Sequence, residues 1–151
     1  MEIIVDRLES PLILHLLQDH LDQMNKISPK GAVHALDLEA LRAPGITFWS
    51  VWEEAELLGC GALKQLTTQH AEIKSMRSVA TRRRKGVASH LLRHILAEAR
   101  RMHFQRVSLE TGAIAAFEPA RNLYKKFGFT NCGPFADYKA SSDNVFMTLP
   151  L

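Results

Sequence analysis

Apolar residues recur along the chain with two alternating periods, and the switches between them mark out the elements. "EIIVDRL" alternates as a first strand, and "SPLILHLLQDHLDQM" follows with the 3.6-residue spacing of a helix. Ser10 stands at the N-cap position of that helix and Pro11 at its first turn. "NKISPKGAVHALDLEALRAPG" has no clear period, with a short helix expected around His34 to Leu41. "ITFWSVWE" and "ELLGCGALKQL" read as a hairpin, and "HAEIKSMRSVA" as a further strand. A long helix is expected from Lys85 to about Met102, with Ala88, Leu91, Leu92, Ile95, Ala99 and Met102 on one stripe. "FQRVSLET" is a strand and "EPARNLYKKF" a helix whose Ala120, Leu123, Tyr124 and Phe127 share a face. "GFTNCGPF" reads as a strand or turn and "NVFMTLP" as a last strand. The order βα(α)βββαβαββ predicts an α/β fold with a mixed sheet, antiparallel at first and with a βαβ unit in its middle.

Length and charge narrow this picture. A chain of 151 residues suits one domain with a real core. The formal charge of +3 permits an anionic ligand without demanding nucleic acid. Cys60 and Cys132 are the only cysteines and form no CxxC, so a reducing, cytoplasmic setting is expected. The N-terminal residues do not read as a signal peptide, and no apolar run approaches the ~18 residues of a membrane span.

One local choice runs against helix physics. Arg82, Arg83, Arg84 and Lys85 lead into Gly86 at the start of the long helix, where the dipole is already positive. An anion there would compensate, held by the free N–H groups of the first helical turn. Gly86 and the small Ala88 let such a ligand approach the backbone. A solvated basic turn is the plainer alternative. The segment is neither a P-loop nor a dinucleotide fingerprint, since GxxxxGK[ST] and GxGxxG are both absent.

Arg83-x-x-Gly86-x-Ala88 resembles the acyl-CoA signature of the GNAT superfamily of N-acetyltransferases, [Q/R]xxGx[G/A]. The resemblance extends to the preceding strand, the helix, "RVSLET", and the pattern Ala120, Leu123, Tyr124, Gly128, Phe129, covering roughly residues 46 to 130. It implies a single GNAT domain over 1–151 that moves an acetyl group from acetyl-CoA to a primary amine by direct attack. The coenzyme would be held by Arg83, Arg84, Lys85, Gly86, Val87 and Ala88 at its pyrophosphate, and by main-chain groups of Met76 and Ser78 along its pantetheine. The resemblance makes Tyr124 the general acid for the leaving thiolate and puts Glu72, eleven residues before Arg83, in the register of a general base. Packing for Tyr124 and an ion pair with Lys74 for Glu72 are the alternatives. Glu110 or a water chain could serve as base instead. Phe117 stands where many members carry an Asn that contacts the coenzyme.

No metal is expected, because His90 and His94 lack the Glu of HExxH and a third ligand. Gly59-Cys60-Gly61 reads as a bulge or close packing, with Cys60 buried and inert. Trp49 is a core residue or the lining of an acceptor pocket. The partner is a small-molecule or peptide amine, chosen by residues 28–45, the hairpin around Trp49 and the segment from Phe135. Nucleic acid and membrane are not expected, and a homodimer is allowed. Two further functions stay open: an acyl-CoA sensor without turnover, and a module that uses Arg82 to Lys85 on nucleic-acid phosphates.

Overall fold

The computed structural model describes residues 1–27, 38–79 and 86–151. Seven strands form one sheet in the order β1-β2-β3-β4-β5-β7-β6. They are β1 Glu2–Val5, β2 Ile46–Glu53, β3 Glu56–Gln65, β4 His70–Ser78, β5 Arg106–Gly112, β6 Thr130–Cys132 and β7 Asn144–Pro150. The helices are α1 Pro11–Ile27, α2 Leu38–Leu41, α3 Val87–Arg101 and α4 Glu118–Lys126. Only β4 and β5 run parallel, joined through α3. The predicted element order holds throughout, and no helix among the described residues is long and apolar enough to cross a membrane.

The sheet divides two cores. Leu91, Leu92, Ile95 and Ala99 of α3 and Tyr124 of α4 pack on Trp49, Val51, Ile73, Val107, Leu109 and Met147. On the other face, Ile13, Leu16 and Leu17 of α1 and Leu41 of α2 cover Phe48, Leu57, Cys60 and Ala62. This is the alternation of a sheet buried on both sides.

Several boundaries differ from the sequence expectation for local reasons. β1 stops at Val5 rather than Leu8. Asp6 accepts a hydrogen bond from the Leu8 N–H at 2.7 Å and one from Ser50 Oγ at 2.6 Å, and Leu8 adopts φ 61. The side chain thus turns the chain out of the sheet before α1. Ser10 caps α1 as expected, its Oγ accepting from the Leu12 N–H at 3.3 Å. α3 begins at Val87, not Lys85, because Gly86 has φ 80. Its stripe also includes Val87 and Leu96, whereas Ala88 and Met102 are only half-buried. The short helix around His34 is seen only as Leu38–Leu41, its first residues lying outside those described.

Candidate active site

The parallel pair is joined only at its start. His70, Ala71 and Glu72 of β4 stand opposite Arg106, Val107 and Ser108 of β5. β4 then continues to Ser78 and β5 to Gly112 without further pairing between them. Main-chain groups along that edge of β4 therefore face a wedge-shaped opening rather than a strand. On its other side β4 stays paired with β3, but not regularly. Cys60 opposes Arg77 and Ala62 opposes Lys74, so one residue of β3 faces two of β4. The extra residue is Ser75, at φ 59, a conformation uncommon for a side chain other than Gly or Asn.

The glycines opposite make the bulge fit. A Cβ on Gly61 would lie 2.7 Å from Met76 Sδ, and one on Gly59 would lie 2.7 Å from the Arg77 carbonyl oxygen. The sequence expectation of close packing at Gly59-Cys60-Gly61 is met. Cys60 is fully buried and donates through Sγ to the Ser75 carbonyl at 3.4 Å. Burial pushes its thiol up to about 12, which leaves it protonated and inert.

Glu72 sits where the opening closes, at the last paired position. It is 2% exposed, so it is not a solvent-facing strand carboxylate. Tyr138 Oη, from the segment between β6 and β7, donates to Glu72 Oε2 at 2.5 Å. Lys74 Nζ lies 3.8 Å from the same oxygen and donates to Tyr138 Oη at 3.4 Å. The buried carboxylate is thus held by a hydroxyl and an ammonium, as a buried charge must be. Burial first, then the bond to Glu72 and its charge, push the Tyr138 hydroxyl far up, so it remains a donor. Its ring packs edge-on against Phe135 at 5.2 Å and tilted against Phe146 at 5.7 Å.

Next to Glu72 runs a row of polar contacts that ends on a guanidinium. His70 Nε2 and Ser108 Oγ are 2.7 Å apart, Ser108 Oγ and Thr148 Oγ1 are 2.8 Å apart, and Arg106 Nη1 donates to Thr148 Oγ1 at 2.9 Å. Burial and the Arg106 charge lower the His70 pKa, against the opposing pull of Glu72. Past the bulge, Arg77 donates to Gln23 of α1. His20, one turn earlier on α1, is held down to about 4 by burial and then by Arg77.

Tyr124 belongs to the opposite face. It is 6% exposed in the α3/α4 core, edge-on to Phe129 at 5.7 Å, and burial raises its hydroxyl to about 12. It stays protonated throughout the neutral range. Val87 is also buried, so only its main chain is available to a ligand. Gly86 is exposed, and a Cβ there would meet nothing within 4 Å. Its requirement is conformational, since φ 80 disfavours other residues, while the space beside it is open. Arg83, Arg84 and Lys85 lie outside the described residues. Phe117 lays its ring on Gly112 at the end of β5, where a Cβ would be 2.1 Å from it.

Trp49 is 2% exposed on the α3 side, edge-on to His94 at 5.5 Å, and belongs to the core. Among the described residues no group of three potential metal ligands occurs. Tyr138 is the residue that sequence reading missed. No spacing links it to Glu72, 66 positions away, although the segment from Phe135 was expected to help choose the acceptor.

The open edge of β4 and the free first turn of α3 fit an extended acyl carrier that ends in a phosphate group. Comparison with known proteins leads the same way. The acetyltransferase (GNAT) family matches residues 13–129. The chain is 54% identical over 151 residues, all of both chains, to the uncharacterized N-acetyltransferase YsnE of Bacillus subtilis strain 168. It is 47% identical over 146 residues, 97% of this chain and 92% of the relative, to the uncharacterized N-acetyltransferase YedL of Escherichia coli K12. A GNAT family acetyltransferase from Elizabethkingia anophelis, solved with acetyl-CoA bound, shares the fold at TM-score 0.70 and 16% identity, over 99% of this chain and 97% of that one. Sequence pattern, sheet and kinship agree: the chain belongs to the GNAT family of acetyl-CoA-dependent acetyltransferases.

Proposed function

We propose that the protein, a single domain over 1–151, acetylates a primary amine within a ternary complex of acetyl-CoA and acceptor. The observation that carries this reading is the opening between β4 and β5 with a buried carboxylate at its closed end. Main-chain groups of Met76 and Ser78 lie on the open strand, and Gly86, Val87 and Ala88 supply N–H groups at the start of α3. With Arg83, Arg84 and Lys85 they would hold the coenzyme, which when bound supplies an acetyl thioester as acylating group.

The chain's own residues do the rest. Glu72 takes a proton from the acceptor ammonium so that the nitrogen lone pair can attack. Its Oε2 is engaged by Tyr138 and Lys74, and its Oε1 makes no hydrogen bond among the described residues. A main-chain N–H near Met76 or Arg77 polarises the thioester carbonyl. Tyr124 keeps its proton at neutral pH, gives it to the departing sulfur, and is reprotonated by the second proton that the nitrogen sheds as the amide forms. Cys60, buried and protonated, is unsuited to an acyl-enzyme route, which favours direct attack. The unpaired cysteines suit a cytoplasmic setting.

Acetyl-CoA at ~100 times its dissociation constant should stabilise the fold by about 2.7 kcal/mol. For a domain of this size that is a rise in Tm of roughly 5–10 °C. Thiol release with an amine panel should follow. Stabilisation without turnover would favour a sensor, and salt-dependent DNA affinity without stabilisation by the coenzyme would favour a nucleic-acid module.

A further inference from the structure

We propose that the acceptor is an amino acid, with its amine seated against Glu72 Oε1 and its own carboxylate taken by Lys74. This rests on the amine-acetylation reading above and narrows it. Residues directly opposite one another across a sheet share a face. Cys60 and Ala62, which face α1 and α2, oppose Arg77 and Lys74, and Glu72 lies two residues before Lys74. This face of β4 therefore presents an anion and then two cations along the opening, with the anion at the closed end.

Lys74 is not locked to Glu72. Its 3.8 Å separation is longer than the ~2.7–2.9 Å of a charge-assisted hydrogen bond. Its side chain is 24% exposed, and the bond to Tyr138 uses one of three donors. It can accept a second anion. A bare amine bound at Glu72 would bring its ammonium beside that of Lys74 and meet repulsion. A polyamine or aminoglycoside would add further cations next to Lys74 and Arg77. Glu110, two residues past Ser108 on β5, is a second acid on this face, and Asp6, bonded to Ser50 across from Cys60, is a third, balanced by Lys74, Arg77 and Arg106. A peptide N-terminus carries a neutral amide where a free amino acid carries a carboxylate. The amino acid alone puts opposite charges on both side chains. By drawing Lys74 toward itself, it also frees Glu72 to receive the proton.

The test compares acceptors that differ only in the carboxylate. Each of the common amino acids and its decarboxylated amine, together with spermidine, is assayed for acetyl-CoA-dependent thiol release. Wild type, Lys74→Met and Lys74→Arg are used, with acetyl-CoA thermal shift measured alongside. At least one amino acid should exceed its decarboxylated partner in kcat/KM by about 10- to 100-fold, the range of a hydrogen bond between charged groups. Lys74→Met should bring that ratio near unity, mainly through the acceptor KM, and Lys74→Arg should restore part of it. A wild-type preference for decarboxylated amines or spermidine, or a ratio unmoved in Lys74→Met, would overturn the amino-acid assignment and leave amine acetylation standing. Acetyl-CoA stabilisation with no transfer to any acceptor would overturn both.

Discussion

The two ends of β4 belong to one strand and have opposite surroundings. From His70 to Glu72 the strand has neighbours on both sides, a regular ladder and a neutral chain of hydroxyls and imidazole beside it. From Ile73 to Ser78 it has β3 alone, a bulge, a left-handed serine, two facing glycines and a pair of cations. One end is finished structure. The other is left with main-chain groups that a ligand can complete. Glu72 stands at the border, which is why it can be buried like a core residue and still face the opening.

The largest expected effect tests that border. Glu72→Gln keeps the shape and an acceptor for Tyr138 but cannot take a proton. Its kcat should fall by on the order of 10²–10⁴ with acetyl-CoA affinity unchanged. A loss under about threefold when chemistry limits turnover would remove the closed end from the mechanism. Tyr124→Phe asks whether the far face joins in. The ring and its contact with Phe129 remain, so Tm should hardly move while kcat drops by about 10²-fold. Unchanged kcat would return Tyr124 to simple packing.

Acid should attack the open end before the closed one. His20, over the open half beside Arg77, has its pKa lowered from 6.5 to about 4, so the unfolded chain takes up a proton there before the folded one does. Its contribution is complete above pH 6.5 and is lost as pH falls toward 4, amounting to about 2–3 kcal/mol. Urea unfolding at pH 7.5 and 4.5 should show the loss, and His20→Gln should flatten it. An equal slope in both proteins would show that the acid sensitivity lies elsewhere. The smallest effect is Tyr138→Phe. Loss of a donor to a buried carboxylate should cost about 1–2 kcal/mol in the same assay. No change would mean that Glu72 keeps its place without the hydroxyl.

The regular parts of this contrast could be read in advance. The hairpin of β2 and β3, the α3 stripe and the order of elements all follow from periods of 2 and 3.6. The turn at Gly86 was legible as a helix start, and its φ of 80 agrees with the glycine there. The border was not. Alternation tells which face Glu72 takes, but not that Tyr138 will cover it, because Tyr138 lies in an irregular stretch whose path depends on the aromatic cluster with Phe135 and Phe146. The bulge was legible only from its glycines. "AEIKSMRS" by itself reads as one uninterrupted strand, and the alternation read straight through would turn Arg77 into the core and Met76 out of it.

Ser75 is the one supernumerary position in β4. Removing its codon would leave Lys74, Met76 and Arg77 pointing as they do now, along a strand of ordinary pleat. Removing any other single residue between His70 and Lys74 would reverse the orientation of whatever precedes it. A lineage could therefore lose this one residue and keep every side chain of β4 on its face, whereas deletion of Ile73 would turn Glu72 away from Lys74 and toward the other side of the sheet.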